Sequence, residues 1–318
     1  MLLLFEYAVV AALVVYASVK ASGYIDMIDR TTNLSGAFLG GVLLSAVTSL
    51  PELFTSLSAT VFLDKPELCI GNILGSDLFN IAMLSVAVLF CIRSVGRVKL
   101  SRGNILVAVY IVGIYGIMLL DYAGVLDIEI GTVNIITCIF IGIYALAVRH
   151  LSGEEAAPSD NGSEQAVTLS LKAIVVRFVV ASLAIIALSI VLTYITDDIA
   201  AEYSLGKGLA GALFLGVATS LPEVSSTIAL FRMKNYDIAV GNIVGSNLFN
   251  FLVLCIADLA AFRNSVYVYD DRKIVGLLMF GAVAAVLALP MLQFRNRAVR
   301  ILCALGIVAC YAAFLMFE

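Results

Sequence analysis

The sequence predicts an all-α polytopic membrane protein of ten transmembrane helices, arranged as two inverted-topology five-helix repeats with both termini outside. Three observations predict it: the apolar composition, the spacing of the apolar runs, and a pair of motifs that occurs twice. Of 318 residues, 62% are hydrophobic and 13% charged, with a mean hydropathy of +1.07. An ordinary soluble domain is about 45–50% apolar and about 25% charged. The composition therefore excludes an ordinary cytosolic enzyme and a disordered or collagen-like chain. A net charge of −4 without a basic run excludes nucleic acid as a partner. The solvent that suits this chain is a lipid bilayer.

A spanning helix needs about 20 mostly apolar residues. Runs of that kind cover 2–19, 36–62, 68–91, 103–120, 128–148, 171–195, 208–231, 238–261, 274–292 and 299–316. The first has no basic leader and no small-residue cleavage site, so it reads as a span kept in the protein. Leu151 to Thr168, with its Ser, Gly, Glu, Pro and Asn residues, is the one polar stretch and reads as a flexible linker. It divides the chain into a first repeat at 1–150, a linker at 151–170 and a second repeat at 171–318. Lys and Arg collect on the cytoplasmic side of short loops. On the ten-span map only Lys65, Lys207, Arg263, Arg272 and Lys273 of the 19 fall on the side that holds the termini. The termini are thus expected outside, the linker in the cytoplasm and the protein in the cell membrane.

Internal repetition is the decisive signal. Thr48-Ser49-Leu50-Pro51-Glu52 recurs as Thr219-Ser220-Leu221-Pro222-Glu223. Gly71-Asn72-Ile73-Leu74-Gly75-Ser76-Asp77-Leu78-Phe79-Asn80 recurs as Gly241-Asn242-Ile243-Val244-Gly245-Ser246-Asn247-Leu248-Phe249-Asn250. Five spans per copy is an odd number, so the second copy enters the membrane from the opposite side. That arrangement is common in secondary transporters, whose substrate sites lie near the midplane at the repeat interface. The Gly-x3-Gly spacing within each long motif (Gly71/Gly75, Gly241/Gly245) is also a helix-packing pattern, but packing does not explain two glutamates.

Glu52 and Glu223 fall inside apolar runs, where a carboxylate costs about 2.5 kcal/mol or more. No Lys or Arg lies in either motif, which makes bound cations the natural counter-charge. Thr48 and Glu52 share a helix face at i, i+4, as do Thr219 and Glu223, Ser76 and Asn80, and Ser246 and Asn250. Hydroxyl, carboxylate and amide oxygens are the donors that hard ions such as Ca2+ prefer. Pro51 and Pro222 cannot donate to the carbonyls of Val47 and Ala218, so each helix should kink or unwind beside its glutamate, which is tolerated at this depth only where the backbone is buried in protein or lines a wet cavity. Two ionised glutamates are neutralised by one Ca2+ or by two Na+. Such a site can cross the membrane loaded with either ion, whereas an empty crossing would carry bare charge through a low dielectric.

In these paired segments the chain resembles the calcium/cation antiporter superfamily and, within it, the sodium/calcium exchangers of prokaryotic type without a large regulatory domain. The resemblance implies antiport of Na+ against Ca2+ by alternating access, three for one and electrogenic. Its ion ligands map onto Thr48, Ser49, Glu52, Ser76 and Asn80, and onto Thr219, Ser220, Glu223, Ser246 and Asn250, with backbone oxygens near Ser45 and Gly216 (motif regions 45–80 and 216–250). The Thr-Ser-Leu-Pro sequence before each glutamate favours Na+ over the proton-coupled branch, and Asn250, where potassium-dependent relatives carry aspartate, argues against potassium. Asp77 breaks the symmetry of the repeat; it either lines the pathway or makes an interhelix hydrogen bond. Asp258, near the end of its span, reads as interfacial. Asp121, Asp127, Glu129, Asp197, Asp198 and Glu202 gather on the predicted outer side, either concentrating cations there or forming a solvated rim.

The competing readings are a proton/calcium exchanger of the same superfamily, a cation channel and an intramembrane enzyme. Ser49 and Ser220 have no His, Cys or paired Asp nearby in sequence, so no catalytic constellation is expected. The six cysteines show no metal spacing and lie mostly in apolar runs, where cysteine is a small hydrophobe. With His150 the only histidine, a zinc or copper site is not expected. No resident cofactor, nucleic acid or protein partner is implied; the partners are the two ions and the bilayer.

Overall fold

The structure, a computed structural model, describes residues 2–62, 64–95, 100–126, 129–130, 133–154, 169–202, 216–261 and 265–316. Its helices are α1 (Leu2–Thr31), α2 (Gly36–Thr48), α3 (Leu50–Phe62), α4 (Pro66–Phe90), α5 (Arg102–Tyr122), α6 (Ile135–Ser152), α7 (Leu171–Glu202), α8 (Leu221–Arg232), α9 (Tyr236–Ala260), α10 (Arg272–Gln293) and α11 (Arg297–Leu315). A two-residue antiparallel pair, β1 (Glu129–Ile130) and β2 (Val133–Asn134), precedes α6. Among the described residues, eight helices are long and apolar enough to cross a membrane; α2 and α3, bent by 41° at the break at Ser49, pass the same test as a pair, as a broken span or a re-entrant loop. The expected span at 208–231 begins outside the described residues, and its described end is α8 at 12 residues. The centre of the expected linker (155–168), Lys207, Arg263 and Asp127 also lie outside them. Exposed aromatics such as Phe62 (81%) and Phe90 (87%) suit a chain solvated by lipid.

The chain forms two compact units that do not follow the halves of the sequence: residues 1–51 with 150–246, and residues 52–149 with 247–318. The division falls within the first turn of α3 and within α9. In the first unit α1 packs along α7 and against α8. Small residues set the α1–α8 seam: Ser22 Oγ donates to the Ser18 carbonyl at 2.8 Å and to the Ser226 carbonyl at 3.4 Å. Val14, Leu192 and Ala218 form a core there, with Tyr7, Leu188 and Leu221 packed around it. Near the C-terminus of α1, Asn235 Nδ2 donates to Asp26 and Asp29, each at 3.0 Å. α2 meets α9 backbone to backbone. A Cβ at Gly40 would fall on the Ile238 carbonyl oxygen, and one at Gly245 on the Gly41 carbonyl oxygen.

In the second unit α10 packs against α11, α4 and α5, and α11 also packs on α4. Aromatic edges fill this core: Tyr115 and Phe140 each meet Phe251 edge-on, with ring centroids 5.5 and 5.7 Å apart. Asp258 is fully buried and heavily bonded. Its Oδ1 accepts from Ser265 Oγ and the Val266 N–H, both at 3.2 Å, and its Oδ2 from Thr137 Oγ1 at 2.7 Å and the Asn134 N–H at 3.3 Å. One carboxylate thus fastens the connection after α9 to the start of α6.

Helix ends differ from the hydropathy reading for local reasons. α1 runs to Thr31 rather than 19, because the charged turns beyond the apolar run still suit a helix, with Arg30 paired to Asp26 at 2.8 Å across i, i+4. α6 starts at Ile135 rather than 128, where Asn134 Oδ1 accepts from the Ile136 N–H at 3.0 Å and acts as an N-cap. The Gly-x3-Gly reading holds for Gly245. Around Gly71 and Gly75 no described atom lies within 4 Å of a built Cβ.

The α2–α9 contact predicts that Gly245→Val lowers stability by about 3 kcal/mol or more, since backbone has to move to admit the side chain. Gly142→Ala, on an exposed helix position with open space, should hold or raise stability by up to about 1 kcal/mol. Melting of the detergent-purified variants followed by circular dichroism checks both, and equal midpoints for the two would contradict the packing described.

Candidate functional site

The two short motifs build the same local structure. α2 ends at Thr48, with Ser49 at φ −91°, ψ 6°; in the second copy Ser220 sits at φ −84°, ψ 6° after the helical residues 216–219. A new helix starts at once, with Leu50-Pro51-Glu52 and Leu221-Pro222-Glu223 as its first three residues. Proline is accommodated in this first turn because its missing N–H would find no helical acceptor there. Each glutamate thus sits in the first turn of a helix, where the helix dipole places positive potential. The Ser45 carbonyl accepts from Ser49 N–H (3.0 Å) and Thr48 Oγ1 (3.3 Å). The Gly216 carbonyl accepts from Ser220 N–H and Thr219 Oγ1, both at 3.1 Å.

In the first unit, Thr48, Ser49, Thr219, Ser220, Glu223 and Ser246 are all buried. Ser49 Oγ donates to Glu223 Oε1 at 2.8 Å, a contact between residues 174 apart in sequence. Thr48 Oγ1 lies 3.3 Å from Ser246 Oγ and donates to Asn242 Oδ1 at 3.4 Å. Asn242 Nδ2 in turn donates to the Glu223 carbonyl (3.3 Å) and to Thr227 Oγ1 (3.1 Å). Among the described residues no donor reaches Glu223 Oε2, and no Lys, Arg or His pairs with this carboxylate.

In the second unit, Glu52, Ser76, Asn80 and Asn250 are each fully buried. Asn250 Nδ2 donates to Asp77 Oδ1 at 2.8 Å, and Asn80 Nδ2 to Asn247 Oδ1 at 3.1 Å. Among the described residues Ser76 Oγ, Asn80 Oδ1 and Asn250 Oδ1 have no hydrogen-bond partner. Asp77 makes an interhelix hydrogen bond through Oδ1, and its buried Oδ2 has no partner among the described residues. Asn72 Nδ2 donates to Ser56 Oγ at 3.2 Å. That bond matches the Asn242–Thr227 bond in the first unit, since Ser56 and Thr227 each follow their glutamate by four residues.

Asn72 and Asn242 were identical in the repeated motif but not among the expected ligands; their part is to tie the two motif helices of one copy together. Ser56 and Thr227 carried only a weak signal, a hydroxyl one turn past each glutamate. The chemistry gathered is oxygen chemistry: among the described residues no group of three His, Cys, Asp or Glu side chains could hold a metal. Hydroxyl and amide oxygens surround few carboxylates, which suits hard, weakly held cations better than zinc or copper.

Comparisons with known proteins agree with this chemistry. The family model described as "Sodium/calcium exchanger protein" matches residues 3–152 and 173–318. The inner membrane protein YrbG of Escherichia coli is 27% identical over 249 residues, covering 76% of this chain and 74% of its own. The membrane protein MJ0091 of Methanocaldococcus jannaschii is 26% identical over 223 residues, 70% of each chain. Among solved structures, the sodium-calcium exchanger NCX_Mj superposes with a TM-score of 0.74 at 18% identity, over 98% of this chain and 97% of that one. That likeness shows a shared fold.

The Ser49–Glu223 bond carries a prediction. Ser49→Ala leaves a buried carboxylate oxygen without its donor and should cost about 1.5–3 kcal/mol, while Ser49→Thr, which keeps the hydroxyl, should cost less. Urea or thermal unfolding of the ion-free protein reads the difference; equal stability of Ser49→Ala and the parent would contradict the geometry.

Proposed function

The chain belongs to the sodium/calcium exchanger family, and on that footing we propose that it is a secondary antiporter exchanging Na+ for Ca2+ by alternating access. The observation that carries the reading is Glu223. It is fully buried, its Oε1 receives the Ser49 hydroxyl with the Thr48 and Ser246 hydroxyls close by, and among the described residues Oε2 has no donor and the carboxylate has no basic partner. A carboxylate so placed is stable when a cation supplies the missing charge. The proposed ligands are Thr48, Ser49, Glu52, Ser76 and Asn80 from the first repeat, and Thr219, Ser220, Glu223, Ser246 and Asn250 from the second. Their oxygens fit Ca2+, which takes six to eight such donors, and they accept Na+ equally as a hard ion.

The proposed topology is ten spans in two inverted repeats, 1–150 and 171–318, joined by a cytoplasmic linker at 151–170, with both termini outside. It is supported by the duplicated motifs, the charge bias of the loops and the eight helices, with one bent helix pair, that are long and apolar enough to span among the described residues. Exchange of three Na+ for one Ca2+ moves one net positive charge with the sodium, so transport should respond to voltage by about 2.3 kcal/mol per 100 mV.

Reconstituted protein should take up 45Ca2+ only when the vesicles are loaded with Na+, and Glu52→Gln or Glu223→Gln should abolish the uptake. An inside-positive potential, set with valinomycin and potassium, should accelerate it, because net positive charge leaves the vesicle. Uptake indifferent to Na+ but driven by a pH gradient would assign the protein to the proton-coupled branch. Flux that neither saturates nor needs a counter-ion would indicate a channel.

A further inference from the structure

The two long motifs differ at only two positions, and one of them places Asp77 opposite Asn247 in the sequence repeat. In the structure these two residues touch: Asn247 Nδ2 donates to the Asp77 carbonyl at 2.9 Å. Each also holds an asparagine of the proposed ligand set from the other repeat. Asp77 Oδ1 accepts from Asn250 Nδ2 at 2.8 Å, and Asn247 Oδ1 accepts from Asn80 Nδ2 at 3.1 Å. All four side chains are fully buried within the second unit.

We propose that Asp77 and Asn247 are positioning residues, which fix the amide orientation of Asn250 and Asn80 so that both amide oxygens are presented to the transported cation. This rests on the reading of Asn80 and Asn250 as ligands. A carboxamide turned through 180° exchanges an acceptor oxygen for a donor NH2, and only the oxygen binds a cation. The orientation here is anchored on two acceptors, the Asp77 carboxylate in its ionised form and the Asp77 main-chain carbonyl. The Asp77 carboxylate takes the Asn250 NH2, which turns Asn250 Oδ1 away from it. The Asp77 main-chain carbonyl takes the Asn247 NH2, which turns Asn247 Oδ1 toward Asn80 and so fixes the Asn80 NH2. Asn80 Oδ1 and Asn250 Oδ1 are left buried without a donor among the described residues, as two cation-facing oxygens should be; Asp77 Oδ2 is left so as well, and the cycle below separates a direct role of Asp77 from a positioning one.

The asymmetry of the repeat follows from this wiring. Aspartate at both positions would set two carboxylates close together in a buried site. Asparagine at both would keep the Asn80 arm, which ends on a backbone carbonyl, but would let the pair of residues 77 and 250 reverse together. One aspartate with one asparagine fixes both arms and adds one charge.

The test is a double-mutant cycle on purified protein, read as the Ca2+ concentration that half-maximally raises the melting temperature. Asn250→Ala and Asp77→Asn should each raise it about tenfold, the usual effect of losing a metal-orienting contact. The double variant should be no worse than Asn250→Ala alone, and exchanging the two residues (Asp77→Asn with Asn250→Asp) should restore affinity. If the two single effects multiply, Asp77 acts on the ion by itself and the proposal fails. If Asp77→Asn leaves the half-point unchanged while Asn250→Ala raises it, the proposal fails and the ligand reading stands. An unchanged half-point in Asn250→Ala removes the ligand reading and the proposal with it. Should Asp77→Asn not fold, the Asn247→Ala and Asn80→Ala cycle tests the second arm in the same way, with multiplying effects again fatal.

Discussion

A carboxylate taken out of water must find its compensation inside the protein, and the structure is organised around that requirement at Glu223. The break at Ser220 starts a new helix there, so the carboxylate lies in a first turn with positive potential. Pro222 is accommodated by the same break. The long reach of Ser49 supplies one hydrogen bond. None of these neutralises a full charge, and no basic residue is brought to it among the described residues. The incompleteness is what a transporter needs: a fully paired glutamate would hold no ion, and a lysine in its place would repel one.

Around the charged centre the two copies of the motif use the same local devices. Asn72 ties to Ser56 and Asn242 to Thr227, in each case joining the helix that carries a glutamate to the helix that carries the serine and asparagine of the long motif. The carbonyls of Ser45 and Gly216 receive equivalent pairs of donors. These bonds are short-range within each copy and give each glutamate a defined local frame.

Much of this was legible in the sequence because it depends on local rules. The spans follow from apolar length, and the helix breaks follow from Pro51 and Pro222. What was not legible depends on neighbours far away in the chain. Nothing local brings Ser49 to Glu223 or Asn80 to Asn247. Asp77 read as ambiguous because its partner, Asn250, lies 173 residues away. Asp258 read as interfacial from its place near a helix end; what the sequence did not show is the four donors, two of them backbone N–H groups, that make it a structural clasp. The ends of α1 and α6 departed from the hydropathy map because an ion pair and an asparagine cap, rather than apolar length, set them.

The central claim is that the buried oxygens around Glu223 serve exchangeable cations rather than fold stability alone. Equilibrium binding of 45Ca2+ to the purified protein, titrated with Na+ at constant ionic strength, tests it without any assumption about transport. The account predicts saturable Ca2+ binding that Na+ displaces cooperatively and that Glu223→Gln eliminates in a protein that remains folded. Calcium binding that persists in Glu223→Gln, or that ignores Na+, would contradict it.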